Sequence, residues 1–356
     1  MPETHIAPVG TAPQHGPRPL PLFLELLRSE TAASPERRAA ALAGLRAYQE
    51  AERGEPRPVP PAIATAGRAA LRDYGGSGRP VVFVPSLINP PFVLNLAPGN
   101  SLVRFVGEAG FRPLAVDWGA AGPEDRGQDV TAHIEALLLP LLDALDEPPV
   151  LVGYCLGGTM ALAAACARPV AGLALIAAPW RFTGYGEQVL GGIDDFWTQA
   201  APACDMLGLV PMEILQSGFW RLDPARTIAK FERFGTLDPQ SERARDFVAL
   251  EDWANGGEPL TWGAGRQLFD DFFAADMPGS GRWQVGGTIA RPEALTCPAM
   301  EFISLTDRIV PAATAAGFAE RHETSAGHVG MVVGSRARST LWEPLVHWIR
   351  ALPAPK

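Results

Sequence analysis

Residues 153–158 read Gly-Tyr-Cys-Leu-Gly-Gly, set between the apolar run Pro149-Val150-Leu151-Val152 and the Ala-rich stretch Thr159-Met160-Ala161-Leu162-Ala163-Ala164-Ala165. A short apolar run that passes through Gly-x-Cys-x-Gly into a longer apolar segment predicts a buried strand feeding straight into a buried helix. So abrupt a turn demands small neighbours, because side chains at 153, 157 and 158 would meet the helix or the next strand. It also holds Cys155 in a sharp bend at the strand's carboxyl end. A thiolate is a strong nucleophile and a thiol a good leaving group, which suits thioester chemistry. The plainer alternative is a buried cysteine acting as a small hydrophobe.

Strand, Gly-x-nucleophile-x-Gly, helix is the layout of the nucleophile elbow in α/β-hydrolases, where acid and histidine follow the nucleophile in that order. Met300-Glu301-Phe302-Ile303-Ser304-Leu305 reads as a strand, and Thr306 to Pro311 as the turn after it. Asp307 is thereby placed at a strand's carboxyl end, where ligands and catalytic groups gather in open α/β sheets. Ala326-Gly327-His328-Val329-Gly330 is a Gly-flanked loop ahead of Met331-Val332-Val333. The order Cys155, Asp307, His328 fits a triad in which His328 deprotonates the thiol and Asp307 orients the imidazole. The other histidines compete poorly. His5 and His15 fall in a Pro-rich leader, and His133 on a predicted surface helix over 129–145. His322 lacks a Gly-flanked loop. His347 lies in a predicted terminal helix over 341–352, where packing or solvation is its expected role.

An oxyanion hole needs two N–H donors. One is expected from Leu156, directly after the nucleophile. The other is expected from the loop Ser86-Leu87-Ile88-Asn89 that follows the strand Val81 to Pro85, with Leu87 favoured and Ser86 and Ile88 as alternatives. That loop is otherwise just the Pro-rich end of a buried strand.

Further strands are predicted at 69–74, 113–118, 150–152, 172–177 and 299–305, and helices at 101–109 and 129–145. Their alternation predicts an α/β-hydrolase fold, a mostly parallel sheet with helices on both faces. From about Arg181 to Gly286 the regularity fails and aromatics gather, among them Trp197, Trp220, Trp253, Trp262 and Trp283. Short helices are expected there at 211–220, 224–234 and 241–255, as an inserted cap whose aromatics either line an acyl tunnel or form its own small core. The expected organisation is an N-terminal helical, Pro-rich extension over 1–61, a first core half over 62–180, a cap subdomain over 181–286, and a second core half over 287–356. In the extension, Ser34-Pro35-Glu36 reads as a helix start. The helix that follows is expected to pack on its own protein, with a partner or a granule surface as alternatives.

Composition fits a globular protein with a substantial core: 47% of the 356 residues are hydrophobic and 19% charged. A net charge of −9 argues against nucleic-acid binding. No zinc-type spacing of Cys and His occurs, so no metal is expected. Besides Cys155, the cysteines are Cys166, Cys204 and Cys297, read as core or near-core thiols of a protein in a reducing cytoplasm. No secretory signal is visible, and the apolar span 150–167 resolves into strand plus helix rather than a transmembrane segment.

Gly153-Tyr154-Cys155-Leu156-Gly157-Gly158-Thr159 resembles the nucleophile box of the polyhydroxyalkanoate synthases. So do Val84-Pro85-Ser86-Leu87-Ile88-Asn89 and the segment Leu94 to Val103, then Gly110-Phe111, Asp117-Trp118 and Gly327-His328-Val329-Gly330. The likeness runs from about Ala69 to the C-terminus. Asn95 stands where the family commonly has Asp, and Arg308 where His is frequent. The length is similar to the short, class III-like catalytic subunits, which work with a second protein. The resemblance implies a Cys155 nucleophile that carries the growing acyl chain, a His328 base, and an Asp307 that helps activate the 3-hydroxyl of the incoming unit. It implies 3-hydroxyacyl-coenzyme A as substrate, no separate cofactor, a polyester product, and a homodimer or a second synthase subunit as partner. The expected location is the cytoplasm, at the granule surface. Two rival functions remain open: a Cys-dependent hydrolase (thioesterase or polyester depolymerase) that uses water as acceptor, and a non-catalytic granule- or synthase-binding homologue.

Overall fold

The structure, a computed structural model, describes residues 16–53 and 58–353. His5, His15 and most of the Pro-rich leader lie outside the described residues. The described residues form two compact units, 58–222 with 256–353, and 16–53 with 223–255.

The larger unit is built on an eight-stranded sheet. Its strands are β1 (Ala62–Ala66), β2 (Ala69–Asp73), β3 (Pro80–Val84), β4 (Arg112–Asp117), β5 (Val150–Tyr154), β6 (Gly172–Ile176), β7 (Ala299–Ser304) and β8 (Glu320–Thr324). They lie in the order β1-β2-β4-β3-β5-β6-β7-β8. β1 and β2 form an antiparallel hairpin and β2 runs antiparallel to β4, whereas every pairing from β4 to β8 is parallel. Strands buried on both faces read as unbroken apolar runs, and each residue of β3, β5 and β6 is buried. β8, Glu-Arg-His-Glu-Thr, is an edge strand exposed along nearly its whole length. It carries no apolar signal to betray it, and His322 sits in it. His347 is exposed on the helix Glu343–Ala351.

The helix Leu156–Ala167 is buried almost all round, which explains its lack of a polar face. His133 corrects the sequence expectation of a surface position: it is only 2% exposed. Val130, His133, Ile134 and Leu137 recur at helical spacing, so the histidine shares the stripe turned to the core. Arg68 Nη2 lies 2.7 Å from His133 Nε2, and Nδ1 lies 2.7 Å from the Asp129 carbonyl. A guanidinium only donates, so Nε2 accepts and Nδ1–H donates to Asp129. Burial, with the Arg68 charge, pushes this imidazole down to about 4.

Between β6 and β7 the chain supplies helices to both units. Glu187–Leu207 and Met212–Leu222 belong to the larger one. Its aromatics are core: Trp197 stacks on Phe269 at 4.4 Å, and Phe272 and Trp283 are sealed from solvent. The smaller unit combines Leu20–Glu30 and Pro35–Glu50 with Pro224–Phe234 and Glu242–Asn255. Gly44 lets two of these helices touch, since a Cβ there would lie 1.9 Å from the Phe231 carbonyl oxygen. Phe23 and Tyr48 pack edge-on against Phe231, and the Tyr48 hydroxyl donates to Asp252 at 2.6 Å. The helix expected to pack on its own protein therefore does so. Among the described residues no helix is long and apolar enough to cross a membrane.

Candidate active site

The turn after β5 holds Cys155 at a φ of 56°, a region that non-glycine residues rarely enter. Its N–H donates to the Ile176 carbonyl at 3.0 Å, and its carbonyl accepts from Gly158 at 2.8 Å. A Cβ on Gly153 would fall 2.4 Å from Gly158 Cα, and one on Gly158 the same distance from Ala178 Cβ. On Gly157 it would come within 2.2 Å of the Val84 carbonyl oxygen and 2.4 Å of that of Pro85. The bend is thus held by backbone packed on backbone. Thr159 locks it from behind, donating to the Pro179 carbonyl at 2.6 Å.

Asp307 follows β7 and His328 follows β8, one strand further out. Asp307 Oδ1 accepts from the N–H groups of Ile309 and Val310 at 2.8 and 3.0 Å, which leaves Oδ2 for His328 Nδ1 at 2.7 Å. Ser304 donates to the Ala326 carbonyl and Thr306 to that of Ser325, so the end of β7 is tied to the histidine loop. Cys155 lies close enough to this imidazole to act on its charge. Burial opposes charge on this ring, but Asp307 and Cys155 outweigh it and push His328 up to about 10. The structure therefore brings together the three residues expected to act as a group.

Leu156 opens the helix after Cys155, where the first N–H groups have no helical partner. Across the elbow, Pro85 is fixed by Trp118, whose indole N–H donates to its carbonyl at 3.1 Å. The Ile88 N–H is engaged by Ser86 Oγ at 3.1 Å, which leaves Leu87 and Ser86 as the available donors of that loop. The loop also walls a cavity of about 350 Å³ lined by Leu87, Phe92, Trp118 and His133.

Two tyrosines join the site that the triad logic passes over. Tyr154 stacks on the His328 ring, and Tyr185 donates its hydroxyl to the Ile309 carbonyl at 2.9 Å beside the Asp307 turn. Tyr154 could have been flagged by its place next to Cys155; nothing local marks Tyr185. Among the described residues no three His, Cys, Asp or Glu side chains come together as a metal site needs.

Burial pushes the thiols of Cys166 and Cys204 up, and that of Cys297 up to about 11. Since the thiolate is the reacting form, iodoacetamide at neutral pH is expected to label Cys155 first. His328→Ala should slow that labelling by about tenfold or more. Peptide mapping by mass spectrometry checks both points, and labelling led by another cysteine, indifferent to His328→Ala, would break the pairing.

A mostly parallel sheet carrying a cysteine in a tight strand-to-helix turn, then an aspartate and a histidine in that chain order, has the architecture of one large family. The chain belongs to the alpha/beta hydrolase family, whose model matches residues 81–339. Within it, the chain is similar to the poly(3-hydroxyalkanoate) polymerase subunit PhaC of Haloferax mediterranei, 27% identical over 285 residues that cover 76% of this chain and 58% of the relative. The subunit of the same name from Haloarcula marismortui is 24% identical over 285 residues, covering 76% and 60%. The chain thus spans about three-fifths of the length of these two relatives. Among solved structures, Bacillus megaterium epoxide hydrolase shares the fold with a TM-score of 0.54 at 14% identity, covering 82% of this chain and 100% of that one.

Proposed function

We propose that the chain is an acyltransferase that polymerises 3-hydroxyacyl-coenzyme A thioesters through Cys155. The observation that carries this is the His328–Asp307 hydrogen bond beside Cys155 in its strained turn, with Asp307 fully committed by its backbone and imidazole bonds. The names of the curated relatives support the choice of substrate.

In the first half-reaction the Cys155 proton resides on His328 and the sulfur attacks the thioester carbonyl. The N–H groups of Leu156 and Leu87 stabilise the oxyanion. Collapse breaks the carbon–sulfur bond to coenzyme A, whose thiolate takes the proton from His328. In the second, the 3-hydroxyl of an incoming unit gives its proton to His328 and attacks the Cys155 thioester. An ester bond forms, and the sulfur leaves with the proton returned to it or held on the imidazole. Asp307 keeps the ring oriented and the imidazolium stable. Chain and ester bonds balance without any cofactor. The proposed partners are the coenzyme A thioester, the polyester and a second copy or synthase subunit, in the cytoplasm at a granule surface.

The pure protein incubated with 3-hydroxybutyryl-coenzyme A should release coenzyme A and yield polymer. Free 3-hydroxybutyrate as the main product would instead favour the hydrolase, and no release at all the non-catalytic homologue. Asp307→Asn should separate the two halves. Single-turnover release of coenzyme A is expected to fall about tenfold, because thiols ionise far more readily than alcohols. Chain growth, which must deprotonate an alcohol, should fall by about 10³-fold. Equal losses in both steps would reduce Asp307 to an orienting group.

A further inference from the structure

Tyr154 is the last residue of β5 and immediately precedes the half-buried Cys155. Its ring lies parallel to the His328 imidazole, with centroids 5.2 Å apart and planes 29° from each other. The residue is 3% exposed. Its hydroxyl is sealed from solvent and has no hydrogen-bond partner. Burial, with Cys155 and Asp307 nearby, pushes that hydroxyl well above its ordinary range, so the ring stays neutral and presents an uncharged π face. A buried hydroxyl without a partner is costly, and phenylalanine would fill the same space without it. The hydroxyl thus contributes nothing to packing, and what the residue offers the site is the ring face turned to His328.

We infer that Tyr154 is a positioning residue for the Cys155–His328 pair: its ring face holds the imidazole plane in line with the sulfur and stabilises the imidazolium. One edge of the imidazole is fixed, Nδ1 by Asp307, and Cys155 lies near the ring. A single bond at one edge leaves the ring free to rock about it, and a flat, rigid surface under one face removes that motion. The π face also attracts a cation, an attraction that grows where water is excluded. Stabilising the imidazolium draws the proton from sulfur to His328, so the thiolate form persists to lower pH. The inference rests on Cys155 as the nucleophile proposed above.

The test is the rate of Cys155 alkylation by iodoacetamide as a function of pH, read by mass spectrometry on the full chain. In the unmutated protein Cys155 should be labelled ahead of the other cysteines, and its profile is the reference. Were Cys155 not labelled preferentially, the proposed function itself would fail. In Tyr154→Leu the rising limb should move up by about one pH unit, with labelling about tenfold slower on its acid side. Tyr154→Met, a flexible apolar side chain that refills the space without a π face, should behave as the Leu variant and serves where that variant does not fold. Tyr154→Phe keeps the ring, so it should keep the unmutated profile within about twofold and melt at a higher temperature. Unchanged profiles in the Leu and Met variants would overturn the inference while leaving Cys155 as nucleophile. A Phe variant as impaired as the Leu variant would overturn it too, by moving the role from ring to hydroxyl.

Discussion

Cys155→Ser is expected to lower turnover on a 3-hydroxyacyl-coenzyme A by at least about 10³-fold while the protein still folds. The substitution changes one atom, and the elbow that carries it is held by contacts that do not involve the side chain. The Cys155 N–H still reaches Ile176, and the glycines at 153, 157 and 158 still clear their neighbours. The chemistry is what changes. A thiol gives up its proton to a nearby imidazole far more readily than a serine hydroxyl does. Steady-state release of coenzyme A, with the thermal midpoint measured alongside, separates the two effects. Retained turnover would take Cys155 out of the reaction, and a variant that simply unfolds would return it to the role of a core residue.

Gly157→Ala should damage the protein more widely, costing about 1–3 kcal/mol of stability. The added carbon would meet the carbonyl oxygens of Val84 and Pro85 at 2.2 and 2.4 Å, and both are backbone atoms that cannot swing aside. Relief requires the end of β3 to shift, and Ser86 and Leu87 shift with it. A displacement near 1 Å at groups that position a reaction costs roughly 10²-fold in rate. The expected result is therefore a lower unfolding midpoint in denaturant together with a turnover loss of that order. Gly330→Ala, two residues from His328, is the matched control: an added carbon there meets nothing within 4 Å. If both variants behave alike, close approach at Gly157 is not what shapes the elbow.

The elbow, the central strands and the candidate triad could be read from the sequence because their requirements are local. Gly153, Gly157 and Gly158 are dictated by contacts within a few residues of Cys155 or with the adjoining strands. The apolar runs of β3, β5 and β6 follow from burial on both faces. β8 escaped because an edge strand needs no apolar residues, and Glu320–Thr324 has none. His133 was misplaced because a polar residue was taken to mark the wet face of a helix, when Arg68 and the Asp129 carbonyl meet both of its nitrogens in the core. The stack of Tyr154 on His328 and the bond from Tyr185 to Ile309 join segments more than a hundred residues apart, and no short-range pattern encodes them. The same holds for the smaller unit, whose helices are drawn from two distant stretches of chain.

That last feature bears on how the protein is made. The helices Leu20–Glu30 and Pro35–Glu50 leave the ribosome early, but the residues that complete their core, Phe231, Phe234 and Phe247, emerge some two hundred residues later. At about 5–20 residues per second, the Phe23 and Tyr48 faces stay uncovered for roughly ten to forty seconds of synthesis. During that interval most of the sheet strands are already available to collapse around β5. The nascent chain therefore carries an unfinished apolar surface on these two helices while its sheet is folding.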